Sequence, residues 1–171
     1  MKTIFLDTET TGFDAAKDDV LEIAIIDEVG NVLLDTLVQP VRKPEWPEAQ
    51  AVNGITPNMV TDAPTLESLA PQIAAAFKGA RVVMYNAAFD YEFLKPCLGE
   101  MVEGTDFFVH CAMRRFSVIR GVWDGRVIGC GDYKRWKQAE AAAYVGHQWS
   151  GGAHRALADA QACKSVWEWT Q

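Results

Sequence analysis

A mixed α/β fold, with helices on the faces of a partly antiparallel sheet, is what this sequence predicts. Two observations carry the prediction. The first forty residues hold three apolar, β-branched runs in succession. Beyond residue 65 strand-length runs alternate with longer helical stretches, so later strands are joined by helices that cover the sheet. No repeat, linker or low-complexity segment interrupts this order. Residues 1–171 therefore read as one domain, long enough to bury a substantial core.

Element by element, KTIFLD (2–7) is a short apolar run ending in acid, the mark of a buried strand. VLEIAIIDE (20–28) and VLLDTLVQP (32–40) flank Glu28-Val29-Gly30-Asn31, a hairpin signal. Prolines 40, 44 and 47 are expected to break regular structure, and VNGITPNMVTDAPT (52–65) reads as short turns with a helical piece. Thr65 suits the N-cap of a helix running through Phe77, with Gly79 just past its end. RVVMY (81–85) predicts a strand, and Asn86 the cap of a helix reaching about Leu98. FFVHC (107–111) predicts a further strand, and the glycine-rich span from Arg120 to Gly131 a loop. Tyr133 to Val145 predicts a helix closed by Gly146, and His154 to about Trp169 the last one. The predicted order is β-β-β-α-β-α-β-α-α.

Composition narrows the function. At 49% hydrophobic and 23% charged residues, the chain suits a soluble globular protein rather than a disordered or fibrous one. No apolar run nears the roughly 20 residues that span a bilayer. MKTIFLDTET reaches acid at Asp7, too soon for a signal-peptide core, so a cytoplasmic location is expected. Cys97, Cys111, Cys130 and Cys163 are widely spaced with no C-x-x-C, which favours reduced thiols over disulfides or zinc. A net charge of −7 argues against holding nucleic acid by bulk charge alone. The charge is uneven: from Arg114 to Lys137 seven basic residues meet two acids, giving +5 there and −12 elsewhere. That segment reads as a solvated surface or as a phosphate-binding edge, and charge alone leaves both open.

Four acids and a histidine then stand out. Asp7 and Glu9, two apart at a strand's end, share one face, and two carboxylates side by side call for a cation between them. The D-x-E pattern alone says little, because Asp90-Tyr91-Glu92 repeats it. Asp90 lies one turn past Asn86, at the sheet edge where ligands gather, and faces Asp7 if strand 81–85 adjoins strand 2–7. Taken singly it also reads as an acid favoured by the helix dipole. His154 follows Ser150-Gly151-Gly152-Ala153, and Asp159 sits in the first turns of the final helix. Singly, these read as a surface histidine and a solvated acid. Trp149, next to that loop, reads as core rather than as a nucleic-acid contact.

Taken together, DTETTG (7–12), NAAFD (86–90) and HRALAD (154–159) resemble, in order and separation, the three exonuclease motifs of the DnaQ-like, DEDDh-type 3′–5′ exonucleases. The likeness runs from Ile4 to Asp159, and H-x-A-x-x-D after the other two is its most specific part. VNGIT (52–56) is similar to the family's glycine-isoleucine-threonine turn near the substrate. Two positions depart from the pattern. Tyr85 stands where the family often has histidine, and VHCAMRR where many members have an Asp-Thr pair. Neither replaces a metal ligand or the base, so they bear on substrate preference.

The resemblance implies an RNase H-like fold, a five-stranded mixed sheet with its first three strands antiparallel. It implies a metal-dependent 3′–5′ exonuclease that releases nucleoside 5′-monophosphates from single-stranded 3′ ends, DNA before RNA, as in DNA repair. Asp7, Glu9, Asp90 and Asp159 would hold two divalent ions, Mg²⁺ or Mn²⁺, whose oxygen-ligand preference these carboxylates meet. His154 would be the general base, its Gly-Gly loop letting it swing in with substrate. Thr10, Gly12, Phe13, Ile55 and Asn86 would contact substrate, although Phe13 and Ile55 read equally as partly buried core. An RNA-trimming enzyme of the RNase T or oligoribonuclease kind and a polymerase-bound proofreading subunit are the alternatives. With Gln171 directly after the last helix, no tail to tether a partner is expected. A homodimer is compatible with the sequence.

Overall fold

The computed structural model describes residues 1–124, 133–149 and 154–171. Strand β1 (Lys2–Thr10) occupies the centre of a five-stranded sheet. It pairs antiparallel with β2 (Val20–Asp27), which pairs antiparallel with β3 (Val32–Leu37). On its other side β1 runs parallel to β4 (Ala80–Met84), and β4 parallel to β5 (Phe108–Cys111). The order β3-β2-β1-β4-β5 is the expected mixed sheet. Gly30, at φ +93°, closes the β2–β3 hairpin in the left-handed region open to glycine.

The period of two in β1 divides the core. Ile4 and Leu6 face one side, where α2 (Leu66–Phe77) and α3 (Ala87–Leu98) bring Ile73, Phe77, Phe93 and Leu94. Phe5 faces the other, where α4 (Ala112–Arg120), α5 (Gln138–Tyr144) and α6 (Ala156–Trp169) bring Phe116, Ala141, Ala160, Cys163 and Val166. A smaller cluster of Leu21, Trp46, Ile55 and Val60 sits where α1 (Pro47–Asn53) meets β2.

Several boundaries differ from expectation. Strand β1 continues to Thr10, so DTET lies inside the strand. Pro47 does not break structure but opens α1, where its missing N–H and fixed φ do no harm, and Gly54 at φ +71° ends that helix. The expected α2 is found, with Thr65 accepting from the Ser68 N–H. Helix α4 is an element the sequence reading lacks: Ala112 and Phe116, one turn apart, are its buried side, and Gly121 at φ +63° closes it. Helix α5 starts at Gln138 rather than Tyr133, because Tyr133 bridges Trp123 in extended conformation. Most of the expected loop from Arg120 to Gly131, with Arg126 and Cys130, lies outside the described residues, as do Asp132 and the Gly151-Gly152 hinge. Cys97, Cys111 and Cys163 are free thiols, as expected. No helix among the described residues is long and apolar enough to cross a membrane.

Candidate active site

Strand β1 delivers Asp7 and Glu9 on the face that carries Phe5, at the edge where the parallel strands end. Pairing of β1 with β4 brings the start of α3 alongside. Asp90, 3% exposed, accepts from the Thr8 N–H at 3.1 Å and from the Thr8 hydroxyl at 2.8 Å. From the other layer, α6 contributes Asp159, buried at its first turn. The Asp159 Oδ2 accepts from the His154 N–H at 2.8 Å, and His154 itself is exposed at φ +66°.

The four carboxylates crowd one another. Burial raises Asp7 well above the usual range, helped by the charges of Asp90, Asp159 and Glu9. Burial, with Asp159 and Glu22 nearby, lifts Glu9 to about 8, and a hydrogen bond with Asn53 restrains the rise. Asp90 is pushed up to about 6 by burial, against the stabilising Thr8 contacts. Asp159 is also raised by burial, against the His154 N–H and the His154 ring. No lysine or arginine forms an ion pair with any of the four among the described residues. A cluster of buried oxygens that resists ionisation for want of a counter-charge fits a hard divalent cation. The tightest donor group is Glu9, His154 and Asp159, with ligand atoms within 4.8 Å of one another. Asp7 and Asp90 lie outside that group but couple to it electrostatically.

Around this centre the expected contact residues separate. Phe13 is 92% exposed, tilted against Phe89 at 6.2 Å between ring centroids. Thr10 is buried, its hydroxyl donating to the Gly12 carbonyl at 2.6 Å. A Cβ on Gly12 would lie about 2.5 Å from the Asp18 carboxylate, so any larger residue forces the loop or Asp18 to shift. That carboxylate is itself fixed, accepting from the Asp14 N–H and the Thr11 hydroxyl and pairing with Lys43. Asn86 occupies the N-cap position of α3, yet its exposed side chain makes no capping bond. Ile55 corrects the expectation of a base-stacking surface: it is fully buried beneath Trp46, whose indole N–H donates to the Ile55 carbonyl at 2.7 Å. Trp149 is half-buried, edge-on to His147, rather than in a core cluster.

Three neighbours of the site escaped the sequence reading. Thr8 anchors Asp90, and Asn53, held by the Ile55 N–H at 3.0 Å, meets Glu9. Glu22 lies opposite Glu9 across the β1–β2 pair. For Glu22 a signal existed: one acid inside the apolar run VLEIAII must be paired if it is buried.

Comparison with known proteins agrees with this geometry. A family model described as exonuclease, of the RNase T type, matches residues 4–166. An uncharacterised exonuclease of Escherichia phage 186 is 41% identical over 164 residues, covering 91% of this chain and 81% of its own. The PolC-type DNA polymerase III of Thermotoga maritima is 32% identical over 95 residues, 54% of this chain and 7% of that polymerase. Among solved structures, exonuclease I from Methylocaldum szegediense superposes at TM-score 0.76 and 24% identity, over 96% of this chain and 39% of that one. Exonuclease X in complex with 5′ overhanging duplex DNA superposes at TM-score 0.70 and 25% identity, over 96% and 87%. This chain thus spans well under half of exonuclease I and a small part of the polymerase. Motif order, sheet order and these matches agree, and the chain belongs to the DnaQ-like exonucleases of RNase H-like fold, hydrolases that act on nucleic acid.

Proposed function

We propose that the protein is a metal-dependent 3′–5′ exonuclease that removes nucleoside 5′-monophosphates from single-stranded ends, with DNA as the favoured substrate. The observation that carries the reading is the convergence of buried Asp7, Asp90 and Asp159 with half-buried Glu9, none of them paired with a described lysine or arginine, beside His154. These carboxylates would hold two divalent ions, Mg²⁺ or Mn²⁺. When bound, such ions neutralise phosphate charge and acidify a water.

The residues of the chain supply the rest. His154 receives the water's proton on its ring, the role of a general base. Asp159 orients it, because its carboxylate holds the His154 N–H. The backbone of Thr10 to Gly12, fixed by Asp18, seats the terminal nucleotide, and the exposed ring of Phe13 stacks on its base. Asn86, free of any capping bond, donates to a phosphate or sugar. Without metal the site offers a polyanion no counter-charge, so binding and chemistry depend on the same ions.

DNA in the Exonuclease X complex supports the choice of sugar. The match to a PolC-type polymerase favours, as a second reading, a proofreading role beside a polymerase. Digestion of end-labelled single- and double-stranded DNA and RNA, with Mg²⁺, Mn²⁺ or EDTA, tests the proposal. Mononucleotides from the 3′ end of DNA only with metal are expected. Release from the 5′ end, or undiminished activity in EDTA, would overturn it.

A further inference from the structure

Glu22 is a fifth carboxylate at the site that the reaction as described leaves unused. It lies on β2 directly across from Glu9 in antiparallel register and is 3% exposed. Opposed residues of an antiparallel pair share a face, so its side chain points the same way as that of Glu9. A carboxylate there could be one more metal ligand, and its hydrogen bonds decide otherwise. Arg155 Nε donates to its two oxygens at 3.1 and 3.0 Å, and Arg155 Nη2 donates to Oε1 at 2.5 Å. The Ala156 N–H donates to Oε2 at 2.9 Å. Both oxygens are occupied by donors from one short stretch of chain.

That stretch is the start of α6, with Arg155 at its N-cap and Ala156 its first residue. His154 precedes it at φ +66°, a conformation that a non-glycine residue keeps only where its surroundings impose it. From its C-terminal side the imposing contacts are visible. The His154 N–H is held by Asp159, and the Asp159 N–H by the Arg155 carbonyl at 3.0 Å. The Arg155 side chain is held in turn by Glu22. Asp35 and Glu9 are the other acids whose charge Arg155 feels, so without Glu22 its guanidinium is drawn toward them.

We propose that Glu22 is a positioning residue, which through Arg155 and the Ala156 amide sets the place of His154 at the site and keeps the guanidinium away from Glu9. The inference rests on His154 acting in the reaction. It ties β2, a strand that carries none of the motif residues, to the last motif, and it explains why an acid interrupts that strand.

Steady-state kinetics and nuclear magnetic resonance of Glu22→Gln and Arg155→Lys test it. In Glu22→Gln, kcat is expected to fall ~10–100-fold, in proportion to a small displacement of the base, with KM changed less than about twofold. Arg155→Lys, which keeps the charge, is expected to lose less and covers the case of a poorly folding Glu22→Gln. In the metal-free protein, the His154 amide and ring resonances are expected to move in Glu22→Gln while those of the distant α2 residues stay in place. Unchanged kcat with unmoved His154 resonances would overturn the proposal. Loss of Mn²⁺ binding with His154 unmoved would also overturn it, making Glu22 a ligand. Should the wild type show no exonuclease activity, the reading of function falls, while the His154 resonances still decide whether the clasp positions that residue.

Discussion

Neutralising one carboxylate while keeping its shape separates charge from packing. Asp7→Asn and Asp159→Asn are expected to abolish metal-dependent mononucleotide release while leaving the circular dichroism spectrum unchanged. Wild-type turnover by either variant would remove that residue from the ligand set. His154→Ala is expected to lower kcat ~10²–10⁴-fold with Mn²⁺ binding, read by isothermal titration, largely kept. Gly12→Ala tests the loop rather than the chemistry. The new methyl meets an Asp18 carboxylate fixed by three partners, so the loop must shift. KM should rise several-fold with kcat nearly constant, and an unaltered KM would show that the loop does not touch substrate. At this scale the sequence was legible where motif spacing brings residues together, as Asp7, Glu9, Asp90 and Asp159 meet in the fold. It was not legible for Ile55, because a hydrophobic residue beside a conspicuous turn looks the same whether it faces a base or the core.

Among the elements, the basic segment is the instructive case. The triple replacement of Arg114, Arg115 and Arg120 would look like a simple test of a phosphate-binding edge, but the three differ in kind. Arg115 lies over the Trp167 ring at 5.1 Å and donates to the Thr170 carbonyl at 3.0 Å. Arg120 lies over Tyr144 at 4.0 Å and over Trp136 at 5.4 Å, and donates to the Tyr144 hydroxyl at 2.9 Å. These two join α4 to α5 and α6 through aromatic rings. Arg120→Ala is therefore expected to cost about 1–2 kcal/mol in urea unfolding, through lost stacking and packing. Arg114→Ala should leave stability near wild type, so an equal loss in both would remove the distinction. Helix α4 went unread for the same reason that makes it useful. Its three arginines mask the buried Ala112 and Phe116 in any pattern of apolar residues, since all three read as surface although Arg115 and Arg120 lie over rings. Strands β1 to β5 and helix α2, by contrast, followed from apolar runs, a hairpin glycine and a threonine cap whose physics is local.

For the whole molecule, the carboxylate cluster couples folding to pH. In the folded chain Glu9 sits at about 8 and Asp90 at about 6, with Asp7 and Asp159 raised as well. Unfolded, all four return to the ordinary range near 4. Between those limits the folded state binds more protons at these four groups, so their contribution to metal-free stability is full at low pH and is lost as pH rises to about 8. His110 and His147, lowered by burial, oppose the trend only below their ordinary range near 6.5. Thermal melts in EDTA should show Tm falling from pH 6.5 to pH 8.5. Mn²⁺ should restore Tm strongly at pH 8.5 and weakly at pH 5.5. In Asp7→Asn both the slope and the metal response should shrink. A flat wild-type profile would mean that the carboxylates do not meet in the folded protein.

The site draws Asp7 and Glu9 from the first strand and Asp159 from the last helix, and α6 packs directly on β1 and β2. A chain made from its N-terminus onward presents the first two acids long before the residue that completes the set exists. Until α6 docks on β1 and β2, the early strands offer two acids without the carboxylate that joins them, so the site forms only with the fold around it.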